Sequence, residues 1–229
     1  MRALSGAAAV LCAGLLAACA VSPAFTIRTL AIEGAHHTSV DAITSASALV
    51  DGATFRASAA RAREQVLRLP AVRDAVVEIV LPDRARVAIA ERIAIGRWLA
   101  GGNEYFVDGD GVLFGSIDPR GAPDARVSDE RAARRPGDRL DPALVDAAMK
   151  LARLRTEDLR ADGASPRVVL TAGGNGLVLR TAAWEIRFGG AEHIDEKIAT
   201  ARRFLRENRE RKLDYVDVRT PDSLVVSPR

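Results

Sequence analysis

The sequence predicts an α+β fold: an N-terminal transmembrane helix, then a β-α-α-β-β unit, then a mixed β-sheet domain with flanking helices. Three observations carry this. Two strands with period-two alternation meet at Pro82-Asp83 inside the stretch Leu69 to Trp98. A strand and two short helix signals precede them. After Arg92, short apolar runs of strand length are interleaved with two amphipathic helices.

The central pair is the clearest element. Ala75, Val77, Ile79 and Leu81 form one apolar face, with Asp74 and Glu78 opposite. Beyond the turn, Ala85, Val87, Ile89 and Ile93 alternate with Arg84, Arg86 and Arg92. A lone hairpin is marginal in water, so that face needs a cover. The preceding chain supplies one. Phe25, Ile27, Leu30 and Ile32 predict a strand that ends at Gly34. Thr38 stands three residues before Asp41, the capping-box spacing, and opens a short helix with Ile43 and Ala46 inward. A second helix is expected over about Ser58 to Leu69, with Ala59, Ala62, Val66 and Leu69 on one face.

The second half begins with a hairpin, in which Glu104–Val107 and Val112–Phe114 flank Asp108-Gly109-Asp110-Gly111. Residues 119–139, rich in Gly, Pro, Asp and Arg, read as an irregular surface excursion. Asp141-Pro142 supplies an N-cap and first-turn proline for a helix with Leu144, Ala148, Leu151 and Ala152 inward. Strands follow at Val168–Leu170, Leu177–Arg180 and Trp184–Phe188. A helix from about Ile194 to Glu207 then buries Ile198, Ala201 and Leu205. Two short strands about Thr220-Pro221-Asp222 close the chain.

Residues 3–21 carry no charge and approach the ~20 apolar residues that cross a hydrocarbon core. Arg2 precedes them, so the remainder faces outward. The segment is read as a retained anchor, a cleaved signal, or a lipobox over Leu16-Ala17-Ala18-Cys19; all three export the body. Cys12 and Cys19 are the only cysteines, which leaves the folded part without a disulfide framework or a cysteine metal site. With 48% hydrophobic but 4% aromatic residues, Ala, Val, Leu and Ile must fill the cores. A net charge of +3 favours an anionic surface or an acidic partner and falls short of a nucleic-acid signature.

No motif rises to a catalytic or cofactor site. Asp108-Gly109-Asp110-Gly111 starts like a calcium loop, but its twelfth position is Pro119 rather than a bidentate Glu. Gly173-Gly174-Asn175-Gly176 lacks the Gly-Lys-Ser/Thr of a phosphate cradle and reads as a turn. His36 and His37 sit in a loop with His193 far along the chain, and no G-x-S-x-G elbow occurs. The basic run from Arg202 to Lys212 reads as a solvated helix face, its functional alternative being anionic lipid or an acidic partner. Glu91-Arg92 reads as an ion pair closing the first unit, its rival being a recruitment surface.

In order and spacing the chain resembles the FtsQ/DivIB family of bacterial cell-division proteins. The resemblance rests on Phe25-x-Ile27 through Ile32-x-Gly34, Leu69-Pro70-x-Val72-x-x-Ala75-x-Val77, Pro82 before Val87-x-Ile89, and Glu91-Arg92 with Trp98 beyond. It continues through Val107-Asp108-x-x-Gly111-x-Leu113-Phe114, Pro136-Gly137, Lys197 and Tyr215-Val216-Asp217-Val218-Arg219. It implies a membrane anchor or signal over residues 1–24, a POTRA domain over 25–92 and an FtsQ-type β domain over 93–229. It implies a non-enzymatic divisome scaffold in the inner membrane at the septum, with its C-terminal part outside the cytoplasm. That scaffold links FtsB- and FtsL-like partners to septal peptidoglycan synthesis. No cofactor, metal, nucleic acid or small-molecule substrate is implied. The resemblance places FtsB binding on the final strand, here Arg219 to Val226, with Arg219, Ser223, Leu224, Val225 and Val226 as the partner-binding residues. The mechanism expected is β-augmentation, with Arg219 facing an acidic group. Pro228 cannot donate to a ladder, so the usable edge is expected to span Ser223 to Val226.

Family members carry a charged cytoplasmic tail, whereas only Met1 and Arg2 precede the apolar run here; either the start lies upstream or the tail is dispensable. The alternative function is an exported POTRA-bearing adaptor or Cys19 lipoprotein that assists export or assembly of other proteins. An exported hydrolase ranks last, for want of a site constellation.

Overall fold

The computed structural model describes residues 14, 18, 22–115, 123–159, 166–220 and 223–228. The anchor expected over residues 3–21 lies outside them except for two positions. Among the described residues no helix is long and apolar enough to cross a membrane. The chain divides into two compact units, Met1–Arg92 and Ile93–Arg229.

The first unit runs β1 (Thr29–Glu33), α1 (Val40–Ser47), α2 (Ala59–Val66), β2 (Val72–Val80) and β3 (Arg84–Glu91). The predicted hairpin pairs Ala75 with Ile89, Val77 with Val87 and Ile79 with Ala85. β1 joins it in parallel along β3, so the sheet order is β1-β3-β2. A parallel neighbour needs a long crossover, and the two helices occupy it. They cover the apolar face, where Ile43, Ala62 and Val66 join Ile27, Val72, Ala75 and Val87 in one buried cluster. Gly34 ends β1 at φ +79°, where a Cβ would lie 2.1 Å from the Ile89 carbonyl oxygen, so only glycine fits.

Four expectations are corrected here. The first strand starts at Thr29 rather than Phe25, because Pro23–Phe25 form a 3-10 turn capped by Ser22. The cap of α1 is Ser39, whose Oγ accepts the Ala42 amide, rather than Thr38. Leu81 and Ile93 are 59% and 76% exposed, since each lies beyond the end of its strand and leaves the pleat.

The reason Thr38 is not the cap is Glu91. Its carboxylate accepts the backbone N–H groups of His36 at 3.2 Å, His37 at 3.0 Å and Thr38 at 2.6 Å. Arg92 donates instead through Nε to the Pro70 carbonyl. The two residues therefore tie the unit together through main-chain groups, where the sequence suggested a mutual ion pair. Burial raises the Glu91 pKa, but the hydrogen bonds from Thr38, His37 and His36 outweigh it and hold the carboxyl below its usual range.

Among its described residues the second unit contains a nine-stranded mixed sheet and two long helices. In chain order these are β4 (Gly96–Ala100), β5 (Asn103–Val107), β6 (Leu113–Phe114), β7 (Arg126–Asp129), α3 (Pro142–Ala152), β8 (Arg167–Leu170), β9 (Leu177–Arg180), β10 (Glu185–Gly189), α4 (Ile194–Glu207), β11 (Leu213–Thr220) and β12 (Ser223–Pro228). The sheet order is β12-β11-β10-β9-β8-β7-β4-β5-β6. Asp141 caps α3 ahead of Pro142, as predicted. From the helices, Val145, Ala148, Met149, Leu151, Ile198, Ala201 and Leu205 pack on Trp98, Val127, Leu179, Ile186 and Val216. Lys197 is buried, donating from Nζ to the Gly190 carbonyl at 3.2 Å, and burial lowers its pKa.

Two strands escaped the sequence. β4 pairs with β5 about Gly101 and Gly102, both at positive φ. β7 falls inside the stretch expected to be an irregular surface excursion, yet lies parallel between β4 and β8. Asp129 at its end explains the polar composition there. Its buried carboxylate accepts from Trp98 Nε1 at 3.2 Å and from Arg131 N and Nε at 3.0 Å. Burial alone would raise its pKa, but the Arg131 and Trp98 hydrogen bonds hold it low.

Glu91→Gln removes the charge that orders the loop 36–38, at a cost of about 1.5–3 kcal/mol, the range for hydrogen bonds to charged groups. Because the folded-state pKa is depressed, this contribution is complete above the ordinary Glu pKa and lost as pH falls through the folded value. Amide exchange at His37 and Thr38, expressed as protection relative to the intrinsic rate at each pH, checks both statements: protection falls in the variant, and falls in the parent protein on acidification.

Candidate functional site

A sheet that does not close has two edges, and the two edges of this one differ. At the β6 end, Leu113 donates to the Asp138 carbonyl at 2.8 Å and accepts from Gly137 N–H at 2.7 Å. Both residues of β6 are buried. That edge is covered by the chain itself. At the other end, β12 pairs with β11 on one side, and among the described residues no strand lies on its other side.

Soluble proteins blunt such edges with charges or proline. In the first unit, edge strand β2 carries Arg73, Asp74 and Glu78, and Arg63 Nε donates to the Ala75 carbonyl at 2.7 Å. β12 reads Ser-Leu-Val-Val-Ser-Pro and carries no charge; only Pro228 acts as a guard. Leu224 and Val226 turn toward the core, while Val225 is 54% exposed.

Of the sequence-predicted site residues, Ser223, Leu224, Val225 and Val226 lie together on this edge strand. Arg219 does not. It sits on β11, which continues to Thr220, so the final strand begins at Ser223 and not at Arg219. β12 also extends through Pro228, where the expected edge stopped at Val226, because Ser227 pairs with Tyr215 and, across a shift in register, Pro228 pairs with Leu213.

Asp217 is the cross-strand partner of Val225 and shares its face. The Asp217 carboxylate accepts Arg219 Nε at 2.9 Å and the Arg219 backbone amide at 3.0 Å, with Arg219 Nη2 at 2.7 Å. The Arg219 stem lies over Gly189, where a Cβ would meet its Cγ at 3.0 Å. Arg187 stacks its guanidinium 3.9 Å above the Tyr215 ring on the adjoining strands. Arg187, Tyr215 and Asp217 belong to this face and lie outside the expected set of site residues. Tyr215 and Asp217 are signalled by their alternation, with Arg219, against Val216 and Val218, which puts them on one face; Arg187, on β10, has no such local signal.

The motifs set aside in the sequence are occupied with structure. Asp108 Oδ1 accepts the amides of Asp110 and Val112 in a tight turn. Thr171 bonds across the glycine-rich turn to Gly176. The amides of His36 and His37 serve Glu91. Among the described residues no group of three or more His, Cys, Asp or Glu side chains could hold a metal ion.

A strand, two helices and a hairpin in β1-β3-β2 order, followed by a mixed sheet with one open edge, define a POTRA-bearing α+β protein. Residues 25–92 match the family model described as a POTRA domain of the FtsQ type. The chain is 28% identical over 200 residues to cell division protein FtsQ of Chloroflexus aggregans, covering 86% of this chain and 72% of that one. It is 29% identical to FtsQ of Chloroflexus aurantiacus, covering 77% and 65%, and 27% identical to FtsQ of Caulobacter vibrioides NA1000, covering 91% and 66%. The chain is similar to these FtsQ proteins, and it spans about two thirds of their length.

Burial raises the Asp217 pKa, but the hydrogen bonds and charge of Arg219, with the charge of Arg187, hold it below the usual aspartate range. Stability from this pair is complete above the ordinary Asp pKa and lost as pH falls through the folded value. A carboxyl NMR titration is expected to show Asp217 ionising at unusually low pH, and Arg219→Ala to return it toward the ordinary value.

Proposed function

We propose that this chain is a non-enzymatic scaffold of bacterial cell division that works by holding partner proteins. On this reading residues 3–21 anchor it in the inner membrane at the septum, and the body lies on the extracytoplasmic side. Residues 25–92 serve recruitment, and residues 93–229 bind an FtsB-like partner that, with an FtsL-like protein, connects to septal peptidoglycan synthesis. The family likeness supports the division role. One observation carries the binding mode: β12 is an uncharged edge strand with no strand paired on its outer side among the described residues.

An incoming strand satisfies the outward-pointing amides and carbonyls of β12 and continues the sheet. Side chains set specificity. Val225 offers apolar contact on the exposed face. Arg219, held by Asp217 but with 44% of its side chain exposed, presents its remaining donors to an acidic group.

Consecutive residues of a strand direct their N–H groups to opposite sides, so Leu224 and Val225 divide these roles between them. Proline at the position that donates outward leaves thermal unfolding unchanged and weakens binding of the FtsB-like partner about tenfold or more, as loss of a ladder bond predicts. Proline at the position that donates to β11 lowers stability instead. If both variants fold and bind as the parent does, partner binding by this edge is excluded.

A further inference from the structure

Three segments far apart in sequence meet at one end of the first unit: residues 22–28, 49–56 and 80–84. Thr54 pins them, its Oγ1 lying 2.8 Å from the Phe25 carbonyl oxygen and 2.7 Å from that of Pro82. Backbone bonds from Ile27 to Gly52 and from Arg28 to Asp83, both 2.9 Å, close the same junction. Apolar side chains crowd this end. The rings of Phe25 and Phe55 are 4.8 Å apart, and Phe55, Val80 and Leu81 are 52%, 49% and 59% exposed. Arg28, Arg56 and Arg84, all exposed, belong to the same three segments, as do Asp51 and Asp83. Exposed apolar side chains gathered at one end of a unit mark an interaction surface more often than those scattered singly.

The position of this patch along the chain identifies what it meets. The apolar run ends at Val21, and Phe25 follows four residues later. Even fully extended, four residues reach at most ~14 Å, and the 3-10 turn over Pro23–Phe25 shortens that path. The headgroup layer on each side of a bilayer is about 5–8 Å deep. If residues 3–21 span the membrane, this end of the unit is tethered at the lipid surface. The opposite end, with Gly34 and Val40, points the other way along β1.

We propose that the Phe25–Phe55–Val80–Leu81 patch is a membrane-docking surface. Its apolar side chains enter the headgroup–acyl boundary, and Arg28, Arg56 and Arg84 lie against lipid phosphates. Interfacial segments combine apolar and cationic groups in the same way. The proposal rests on the anchor reading of residues 3–21 and goes beyond it. An anchor alone leaves the unit free to rotate on its tether, whereas this surface fixes which end faces the bilayer.

The full chain, with Cys12 and Cys19 changed to Ala, is reconstituted in phosphatidylcholine–phosphatidylglycerol vesicles. Nitroxide labels are placed singly at Phe55→Cys, Leu81→Cys and, as a control at the far end, Val40→Cys. Flotation reads the anchor, and collision of the label with oxygen against a water-soluble nickel chelate reads the surface. The expected result is co-flotation, with the labels at 55 and 81 favouring oxygen severalfold over the label at 40. Co-flotation with water-like labels at both sites overturns the surface and leaves the anchor standing. Absence of flotation overturns the anchor and the proposal with it. Labels shielded from both reagents show a protein contact and also overturn the proposal. Should the label at 55 disturb the Phe25 pair, the one at 81, exposed and outside that pair, decides.

Discussion

Along one side of β12, backbone donors and acceptors have no strand to pair with among the described residues, and the organisation of the second unit leads to that fact. Its sheet runs from β6, whose edge is closed by Gly137 and Asp138, through to β12, which has only β11 beside it. Open edges cost specificity because any extended peptide can pair with them, and β12 lacks the interior charges that normally deter this. The face beside it is organised in the opposite sense. Arg219 is pinned by Asp217, and Arg187 by Glu185 and the Tyr215 ring, so the groups that on the proposed reading meet a partner are already held in place. Preorganisation of this kind lowers the ordering cost of binding.

The first unit solves a different problem. Its parallel β1–β3 pair sits next to an antiparallel hairpin, and the chain must cross the sheet and return through two helices of eight residues each. Helices this short have little stability of their own, so packing and end capping decide whether they form. Ser39 and Ser58 cap the two helices, and Glu91 gathers the three amides that lead into the first. A single carboxylate at the end of β3 therefore couples the last strand of the unit to the loop after its first strand. This explains why a charged residue stands where an alternating strand stops.

Much of this was legible from local pattern. The β2–β3 hairpin, the helix after Asp141, the helix from Ile194 and the strands at 167–170 and 177–180 follow from periodicity and caps, which are properties of neighbouring residues. β7 was hidden because its four residues, Arg-Val-Ser-Asp, are half polar; Asp129 is there for the Trp98 indole and Arg131, not for solvent. β4 was hidden because Gly96, which gives way to the Met149 sulfur, interrupts the apolar count. Leu81 and Ile93 fit the alternation but overran their strands. At the candidate site, the strands of the closing hairpin were legible, whereas their place at the end of a nine-strand order was not. Sheet order is set by contacts between segments that no short window contains. The same limit hid the Phe25–Phe55–Leu81 patch, whose parts come from three separate stretches of chain.

The central claim is that β12 is a strand awaiting a partner, and amide exchange along residues 223–227, with and without the FtsB-like partner protein, tests it most directly. In the free chain the account predicts alternation, slow exchange for amides bonded to β11 and fast exchange for those facing outward. On addition of the partner the fast set becomes protected and the slow set is unchanged. Outward amides that stay fast in the complex, with protection appearing elsewhere on the second unit, would contradict it.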